Sequence, residues 1–245
     1  MREISYNKEY VKLDGGFYFG QGVFETILIK NEAIFLDDHI KRLNKAIDTM
    51  KLGEDIDINI IKKFIKEENL KNIVLKIVVT EKNIVFSTRE IKYRKEHYEE
   101  GFKIKLSSVL RNPTSMMTYI KSVSYNENLY EYNKANKEGF NEVIFLNIFG
   151  NIAEGATTNI FIIKDNNIYT PKISDGILPG VVRSWVINNF KVYEKHLDKE
   201  DLCSADEVFI TNSLLGIMKV TEFEGIKYNT NKITEIRNKY EQFIV

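Results

Sequence analysis

The chain has 245 residues, 43% of them hydrophobic and 12% aromatic, which is enough to bury a core in one large domain or two smaller ones. It carries 35 basic and 35 acidic side chains, so no overall positive field is present to attract nucleic acid or an anionic membrane. One cysteine and three scattered histidines supply neither an internal disulfide nor a zinc-ligand cluster. Anionic ligands must therefore be held by local groups, and no metal is expected.

The N-terminal segment, MREISYNKEY, is polar where a secretory signal would be apolar. No stretch of the sequence approaches the ~18 apolar residues of a membrane span. A single cysteine also fits a reducing compartment. We therefore expect a cytoplasmic protein whose ligand is a small molecule, with no membrane or nucleic-acid partner.

The first 111 residues predict an α+β unit. Helical spacing of apolar residues predicts one helix that begins at an N-cap of Asp37 or Asp38, and a second around residues 60–65. Apolar and β-branched runs predict strands over residues 24–29, 73–80, 84–88 and 102–110, with the second and third joined as a hairpin.

A proline among small polar residues at 111–115 predicts a connection between domains. The expected division is a small N-terminal α+β domain over residues 1–111, an interdomain connection at 112–118 and a larger C-terminal domain over 119–245.

The second half mixes helices and strands without a regular βαβ order. Predicted helices cover residues 129–137, 180–190 and 233–243, and predicted strands cover 142–147, 152–164, 168–171 and 207–211. Antiparallel pairing is the simplest arrangement for the strands joined by short turns. The fold class expected for the whole chain is mixed α/β.

Three features of the second half point to one kind of ligand. Glu154 lies in an otherwise neutral strand, where a buried carboxylate needs a cationic or hydrogen-bonding partner. Gly180 precedes a helix whose first N–H groups, at Val181 and Val182, would attract an anion. Small polar side chains at residues 211–213 could add donors. These features together suit a phosphorylated ligand with a cationic ring.

Five blocks in the same order resemble the fold-type IV, or class IV, family of pyridoxal-phosphate (PLP) aminotransferases. They cover residues 14–26, 39–43, 119–122, 154–183 and 205–213. The resemblance implies a two-domain fold like that of D-amino acid aminotransferases, with PLP in the cleft between the domains. It also implies a homodimer.

The resemblance further implies a role for each matching residue. Lys121 would form the Schiff base with PLP and act as the base, since an amine near a cationic ring has a lowered pKa. Glu154 would keep the pyridinium nitrogen protonated, which favours electron withdrawal into the ring. The residues implied at the phosphate are Arg42, Val181, Val182 and Ser213, and Tyr125 is implied at the phenolic oxygen, although Ser124 replaces the Asn usual before it.

Within the family, the Gly22–Thr26 segment is most like that of the aminodeoxychorismate lyases, because branched-chain aminotransferases usually have Gly after the Glu. That likeness implies release of pyruvate and 4-aminobenzoate, a folate precursor, with Thr26 as a second catalytic residue that protonates the leaving group. The alternative is an aminotransferase of branched-chain or D-amino acids. Either Arg89 or Arg111, near predicted strand ends, could bind a substrate carboxylate.

Overall fold

The computed structural model describes residues 2–244, which divide into two compact units. The first unit comprises residues 2–92 together with Ile120–Tyr125, and the second comprises Tyr93–Tyr119 together with Asn126–Ile244. These bounds differ from those of the predicted domains, because the strand after residue 101 pairs with strands of the second unit.

The first unit contains a four-stranded sheet. Its strands are β1 (Glu3–Tyr6), β2 (Gly22–Ile29), β3 (Ile73–Thr80) and β4 (Asn83–Arg89), in the order β1-β4-β3-β2. β1 runs parallel to β4, whereas β2, β3 and β4 are antiparallel neighbours. The three strands and the hairpin predicted in this part of the sequence are confirmed.

Three helices accompany this sheet: α1 (Gly15–Phe19), α2 (Leu36–Thr49) and α3 (Ile58–Glu67). Side chains alternate between the two faces of a strand, so each strand presents an apolar face to the helices. The buried core there joins the following strand and helix residues: Val23, Ile27, Leu75, Ile77, Phe86, Ile40, Leu43, Ile47 and Ile61. The opposite face of the sheet is therefore the one on which polar side chains can be displayed.

The predicted N-cap of α2 is wrong. The cap is Phe35, whose backbone is left-handed with φ 55°, and no side chain caps the helix there. The Phe35 carbonyl accepts a hydrogen bond from the His39 N–H at 3.0 Å, so the helix begins before either aspartate. Asp37 and Asp38 instead lie in the first turn, where the helix dipole favours negative charge.

The segment Ile120–Tyr125 lies beside β2. The Phe24 N–H donates to the Lys121 carbonyl at 2.9 Å, and the Val123 N–H donates to the Gly22 carbonyl at 2.9 Å. Val23 and Ser122 form an antiparallel bridge between these two bonds. This segment therefore continues the first unit's sheet although 27 residues, Tyr93–Tyr119, precede it in the second unit.

The second unit is built on a larger mixed sheet. Its strands are β5 (Phe102–Arg111), β6 (Glu142–Asn147), β7 (Ile152–Gly155), β8 (Asn159–Lys164), β9 (Asn167–Pro171), β10 (Val192–Lys195), β11 (Glu207–Asn212), β12 (Gly216–Phe223) and β13 (Ile226–Lys227). Within the described residues the order is β10-β9-β8-β11-β12-β5-β6-β7, with β13 beside β12.

Antiparallel pairing accounts for only part of this sheet. The pairs β8–β9, β11–β12 and β6–β7 are antiparallel, as expected for strands joined by short connections, and β8–β11 is also antiparallel although residues 165–206 separate these two strands. The pairs β5–β6, β5–β12 and β9–β10 are parallel. Helices provide the connections that parallel neighbours require.

Five helices belong to the second unit: α4 (Lys95–Glu100), α5 (Asn126–Lys137), α6 (Val181–Asn189), α7 (Lys199–Cys203) and α8 (Asn231–Phe243). Short 3₁₀ turns cover Met116–Tyr119 and Ile173–Asp175. The helices predicted over 129–137, 180–190 and 233–243 are confirmed. Among residues 2–244, no helix is long and apolar enough to cross a membrane, and no group of three acidic, histidine or cysteine side chains could hold a metal ion.

The single strand predicted over residues 152–164 is wrong. It is two strands, β7 and β8, which pair with different neighbours because the chain turns at residues 156–158. Buried Glu142 holds that turn: its carboxylate accepts hydrogen bonds from the Thr157 hydroxyl at 2.7 Å and the Thr158 hydroxyl at 3.2 Å. Turn geometry set by a distant carboxylate is not visible in the alternation of apolar residues.

Asp14 fixes the start of α1 against the β3–β4 hairpin. Its carboxylate accepts hydrogen bonds from the Thr80 hydroxyl at 2.6 Å, the Gly16 N–H at 2.8 Å, the Lys82 N–H at 2.9 Å and the Asn83 amide at 3.0 Å. Burial by itself would raise the pKa of Asp14, but these hydrogen bonds outweigh it and hold the pKa below the usual value.

Replacing Asp14 with Asn should lower the free energy of unfolding at pH 7 by about 1–3 kcal/mol, because an amide cannot accept all four hydrogen bonds. A lowered pKa stabilises the fold above the unfolded-state pKa, so the wild type should lose this advantage as the pH falls below about 4. Urea unfolding of both proteins at pH 7 and in acid measures this. Asp37→Asn, at an exposed position, is the control, and equal losses in the two variants would contradict the prediction.

Candidate active site

The candidate residues are divided between the two units. Lys121, Thr26, Arg42 and Tyr125 belong to the first, and Glu154, Val181, Val182 and Ser213 belong to the second. Within each unit the structure brings candidates close to one another or to shared neighbours.

Lys121 lies over an aromatic side chain of β2. Its Nζ is 4.5 Å from the centre of the Phe24 ring and 5.4 Å from that of Tyr125. The two rings meet edge to face, with 5.4 Å between their centres. The backbone bonds between β2 and residues 120–125 produce this arrangement, which keeps the amine on the sheet face opposite the helices.

Two further cations lie on the same face. Thr26 of β2 is directly opposite Lys76 of β3, and Arg89 of β4 is two positions from the residue paired with Lys76. Lys76 Nζ is 4.7 Å from the centre of the Phe24 ring. Burial lowers the pKa of Lys76, and nearby Arg89 acts in the same direction. No ion pair to either Lys76 or Arg89 is found within residues 2–244.

Arg42 lies on the helix side of the sheet in an ion pair, not on a solvated helix face. Its Nε and Nη2 donate to the two oxygens of Glu25, each at 2.7 Å, and His39 Nδ1 is 2.7 Å from the same carboxylate. Glu25 and His39 are almost completely buried. The buried His39 ring therefore contacts an ionised group.

Glu154 is a buried residue of β7 with hydrogen-bonding partners, as expected. Its Oε2 accepts from the Leu178 N–H at 3.0 Å and from the Asn159 amide at 3.3 Å. The same Asn159 amide nitrogen donates to the Leu178 carbonyl at 2.9 Å. Asn159 thus ties Glu154 to the loop that leads into α6.

The N-terminus of α6 meets this loop closely. Gly180 is its N-cap, and glycine has no side chain with which to cap the first N–H groups, at Val181 and Val182. A Cβ at residue 180 would lie 1.9 Å from Asn159 Oδ1, so any other residue there would displace the Asn159 side chain from its bonds to Glu154 and Leu178. The helix start therefore presents backbone donors directly, with the positive end of the helix dipole behind them.

Two hydroxyl groups lie near the end of β11, that of Thr211 within the strand and that of Ser213 just after it. Thr211 Oγ1 is buried with no hydrogen-bond partner among residues 2–244, and Ser213 is half-buried. The intervening Asn212 accepts from the Leu214 and Leu215 N–H groups, both at 2.9 Å, which fixes the turn. A buried hydroxyl left unpaired by the protein is the kind of group that a polar ligand satisfies.

Arg111 is engaged elsewhere. Its Nη1 donates to Glu127 at 3.0 Å, and its guanidinium lies 4.0 Å from the centre of the Phe145 ring. Sequence reasoning left Arg89 and Arg111 open as carboxylate ligands. The contacts of Arg111 favour Arg89.

Sequence reasoning missed three residues of the first unit. Lys76, Glu25 and His39 had no assigned role, although strand alternation carried a signal for two of them. Counting from Thr26, Glu25 must face the helices and Phe24 the opposite side. A charged residue on the apolar face of a strand requires a partner, and His39 and Arg42, three positions apart on one helix, could supply it.

The family model of class IV amino-transferases matches residues 22–223 of this chain. An aminodeoxychorismate lyase of Bacillus subtilis is 30% identical over 241 residues, which cover 89% of this chain and 82% of that protein. A provisionally named branched-chain-amino-acid aminotransferase of Methanocaldococcus jannaschii is 29% identical over 94% of this chain and 88% of its own. A D-alanine aminotransferase of Bacillus licheniformis is 29% identical over 86% of this chain and 82% of its own.

Solved structures share the fold. The branched-chain amino acid aminotransferase of Escherichia coli superimposes with a TM-score of 0.89 at 22% identity, over 97% of this chain and 90% of its own. A provisionally named 4-amino-4-deoxychorismate lyase of Legionella pneumophila gives a TM-score of 0.86 at 24% identity, over 96% of this chain and 98% of its own.

The T.th. branched-chain amino acid aminotransferase, solved with pyridoxamine 5'-phosphate, gives a TM-score of 0.87 at 18% identity, over 97% of this chain and 90% of its own. The mixed α/β fold class and the resemblance drawn from the sequence blocks are both confirmed. With a family model that spans residues 22–223, the chain belongs to the class IV aminotransferases, enzymes whose cofactor is pyridoxal 5'-phosphate.

Proposed function

We propose that this enzyme is a cytoplasmic PLP-dependent lyase that converts 4-amino-4-deoxychorismate into pyruvate and 4-aminobenzoate, a folate precursor. The second candidate is an aminotransferase of branched-chain or D-amino acids, since relatives with those names match this chain about as well. The observation that carries the lyase proposal is the sheet face on which Thr26 and two cations accompany Lys121.

The chemistry of the donor groups fits PLP. We propose that the Val181 and Val182 N–H groups bind its phosphate, because the α6 N-terminus is uncapped and closely packed. Ser213 would add a hydroxyl to the same anion, and buried Thr211 provides a neighbouring polar atom without a protein partner. Arg42 would contribute charged donors.

Glu154 and Tyr125 suit the ring of the cofactor. The Leu178 N–H and the Asn159 amide are neutral donors, which orient the Glu154 carboxylate without cancelling its charge. We propose that this carboxylate faces the pyridinium nitrogen, and that the Tyr125 hydroxyl donates to the phenolic oxygen. When bound, PLP withdraws electrons from the bond broken at the substrate carbon.

Lys121 and Thr26 would move the protons of the reaction. In this proposal the neutral Lys121 amine removes the proton from the ring carbon that bears nitrogen, and the C–O bond to the enolpyruvyl group then breaks. Thr26 Oγ1 donates a proton to that leaving group, which departs as pyruvate. The atoms of the substrate are all found in the two products, because the lyase reaction splits one molecule and needs neither an oxidant nor a second substrate.

The cations on the Thr26 face suit a substrate with two carboxylates. Lys76 and Arg89 lie on the same face of the first sheet, and neither forms an ion pair in the described part of the chain. 4-Amino-4-deoxychorismate carries two carboxylates, whereas branched-chain amino acids and D-alanine carry one. An aminotransferase of these amino acids would use the second of the two cations only when the 2-oxo acid that accepts the amino group is a dicarboxylate.

The PLP-loaded protein, supplied with chorismate, glutamine and an aminodeoxychorismate synthase, should release 4-aminobenzoate and pyruvate in equal amounts. Lys121→Ala should abolish both products and the visible absorbance of bound PLP, because the base and the covalent attachment are lost. Lys63→Ala, at an exposed position of α3, is the matched control. If neither product forms, while an amino acid and a 2-oxo acid exchange their amino group, the enzyme is an aminotransferase.

Lys76→Gln and Arg89→Gln should each raise the KM for the lyase substrate about tenfold, since each removes a charged hydrogen bond to a carboxylate. The visible spectrum of bound PLP should not change. Steady-state kinetics with Lys71→Gln, an exposed lysine before β3, provide the control. A raised KM in Arg111→Gln together with an unchanged KM in Arg89→Gln would contradict the assignment.

We also propose that the enzyme is a homodimer, as the family resemblance implies. The segment of the first unit that ends in α1 exposes several large apolar side chains, among them Phe17 and Phe19, which are 68% and 77% exposed. Asp14 anchors this short helix to the β3–β4 hairpin, so its aromatic side chains are held in place. A fixed cluster of exposed aromatic residues is typical of a surface that a second copy of the chain covers.

Light scattering after gel filtration should give the wild type a mass about twice that of the 28.6 kDa chain. The double variant Phe17→Glu, Phe19→Glu should be monomeric, because charges in an apolar interface lose their hydration. Tyr193→Glu, an exposed aromatic position on β10, is the control and should remain dimeric. A monomeric wild type would overturn the proposal.

A further inference from the structure

Glu25, His39 and Arg42 form a buried cluster on the helix side of the first sheet. Glu25 comes from β2, and His39 and Arg42 come from successive turns of α2. The side chains of Glu25 and His39 are each 1% exposed, and that of Arg42 is 13% exposed. An ionic cluster this deeply buried is expensive to form, which calls for a reason beyond stability.

The contacts fix the plane of the guanidinium. Arg42 Nε lies 2.7 Å from Glu25 Oε1, and Nη2 lies 2.7 Å from Oε2, so one edge of the guanidinium is held by two parallel hydrogen bonds. His39 Nδ1 bonds to Oε2 and prevents the carboxylate from rotating. Any second anion bound by Arg42 is therefore restricted to the other edge, formed by Nη1 and Nη2.

The protonation states follow from the same contacts. Burial opposes ionisation of Glu25, but Arg42 and His39 outweigh it and keep the pKa of Glu25 far below its usual value. Burial lowers the pKa of His39, so the ring is neutral and its Nδ1 carries the proton donated to Glu25. The cluster thus contains one anion, one cation and a neutral ring, with no net charge to attract a phosphate.

We propose that Glu25 and His39 are positioning residues, which orient Arg42 so that its Nη1–Nη2 edge recognises the 5'-phosphate of PLP. The inference rests on the phosphate role proposed above for Arg42. With no net charge in the cluster, selectivity for the phosphorylated cofactor comes from the direction of the donors. Glu25 and His39 need not touch the cofactor or the substrate.

Glu25 could instead serve only to neutralise the charge of Arg42, and this role predicts the opposite change in the affinity for a phosphate. If the carboxylate only neutralised Arg42, removing its charge would leave a partly buried cation and strengthen the binding of a phosphate. If it orients Arg42, removing its charge weakens that binding. The direction of the change in affinity therefore separates the two roles.

The test is to measure dissociation constants of PLP and of pyridoxal, which lacks the phosphate, by visible-absorbance titration of Glu25→Gln. This variant keeps the side-chain size but not the charge or the second acceptor. We expect PLP to bind about tenfold more weakly and pyridoxal to bind as in the wild type, because only the phosphate contact is lost. An equal loss for both ligands, or tighter PLP binding, would overturn the proposal.

A second variant covers the case in which Glu25→Gln does not fold. His39→Phe keeps a ring of similar size but removes the donor to Glu25 Oε2, and it should reduce the preference for PLP over pyridoxal in the same direction. Asp14→Asn is the control, since it weakens another buried carboxylate network of the first unit and should leave the preference unchanged.

Arg42→Gln distinguishes failure of the inference from failure of its premise. If Arg42→Gln lowers the preference for PLP and neither Glu25→Gln nor His39→Phe does, the positioning role is wrong and the phosphate role stands. If Arg42→Gln leaves the preference unchanged, both are wrong. These binding measurements do not depend on whether the enzyme is a lyase or an aminotransferase.

Discussion

The position of Lys121 depends on two backbone hydrogen bonds, from the Phe24 N–H to the Lys121 carbonyl and from the Val123 N–H to the Gly22 carbonyl. They attach a short, irregular segment to the edge of a sheet whose other strands are specified by an apolar core. Because backbone groups make these bonds, the location of the amine does not depend on its own side-chain contacts. The Lys121 side chain can therefore change its contacts while its backbone stays in register with β2.

The protein treats three buried carboxylates in three different ways. Glu25 is matched by a guanidinium, and its charge is compensated within the cluster. Glu142 is held by threonine hydroxyls, and burial raises its pKa. The described donors to Glu154 are a backbone N–H and an amide. These donors to Glu154 are neutral, whereas a cation pairs with Glu25.

Sequence reasoning located the elements with strong periodicity and the residues inside recognisable blocks. Apolar spacing predicts the strands β2, β3 and β5 and the helices α5, α6 and α8, because the buried residues of each element recur at regular intervals within its own segment. Sequence patterns did not reveal the left-handed Phe35, the turn that separates β7 from β8, or the parallel pairing of β5. The turn and the pairing of β5 depend on partners distant in sequence, such as Glu142 for the turn.

The residues of the candidate site likewise include some that sequence could identify and some that it could not. Lys121 and Glu154 lie in blocks whose residue types suit the chemistry, so they could be named from sequence. Lys76 could not, because one lysine in a lysine-rich chain carries no signal until strand register places it opposite Thr26. For Glu25, strand alternation indicates that a partner is needed, but only the three-dimensional arrangement identifies Arg42, 17 residues away, as that partner.

The path of the chain, which leaves the first unit at Lys92 and returns to it for Ile120–Tyr125, has a consequence for synthesis on the ribosome. A nascent chain that has exposed only its first 92 residues holds all four strands of the first sheet, but β2 lacks the neighbouring segment that carries Lys121. That neighbour emerges only after β5, whose partners β6 and β12 have not yet been made. Lys121 thus joins its sheet late, when the second unit has begun to emerge, and an incomplete chain ending before it leaves that edge of β2 without its neighbour.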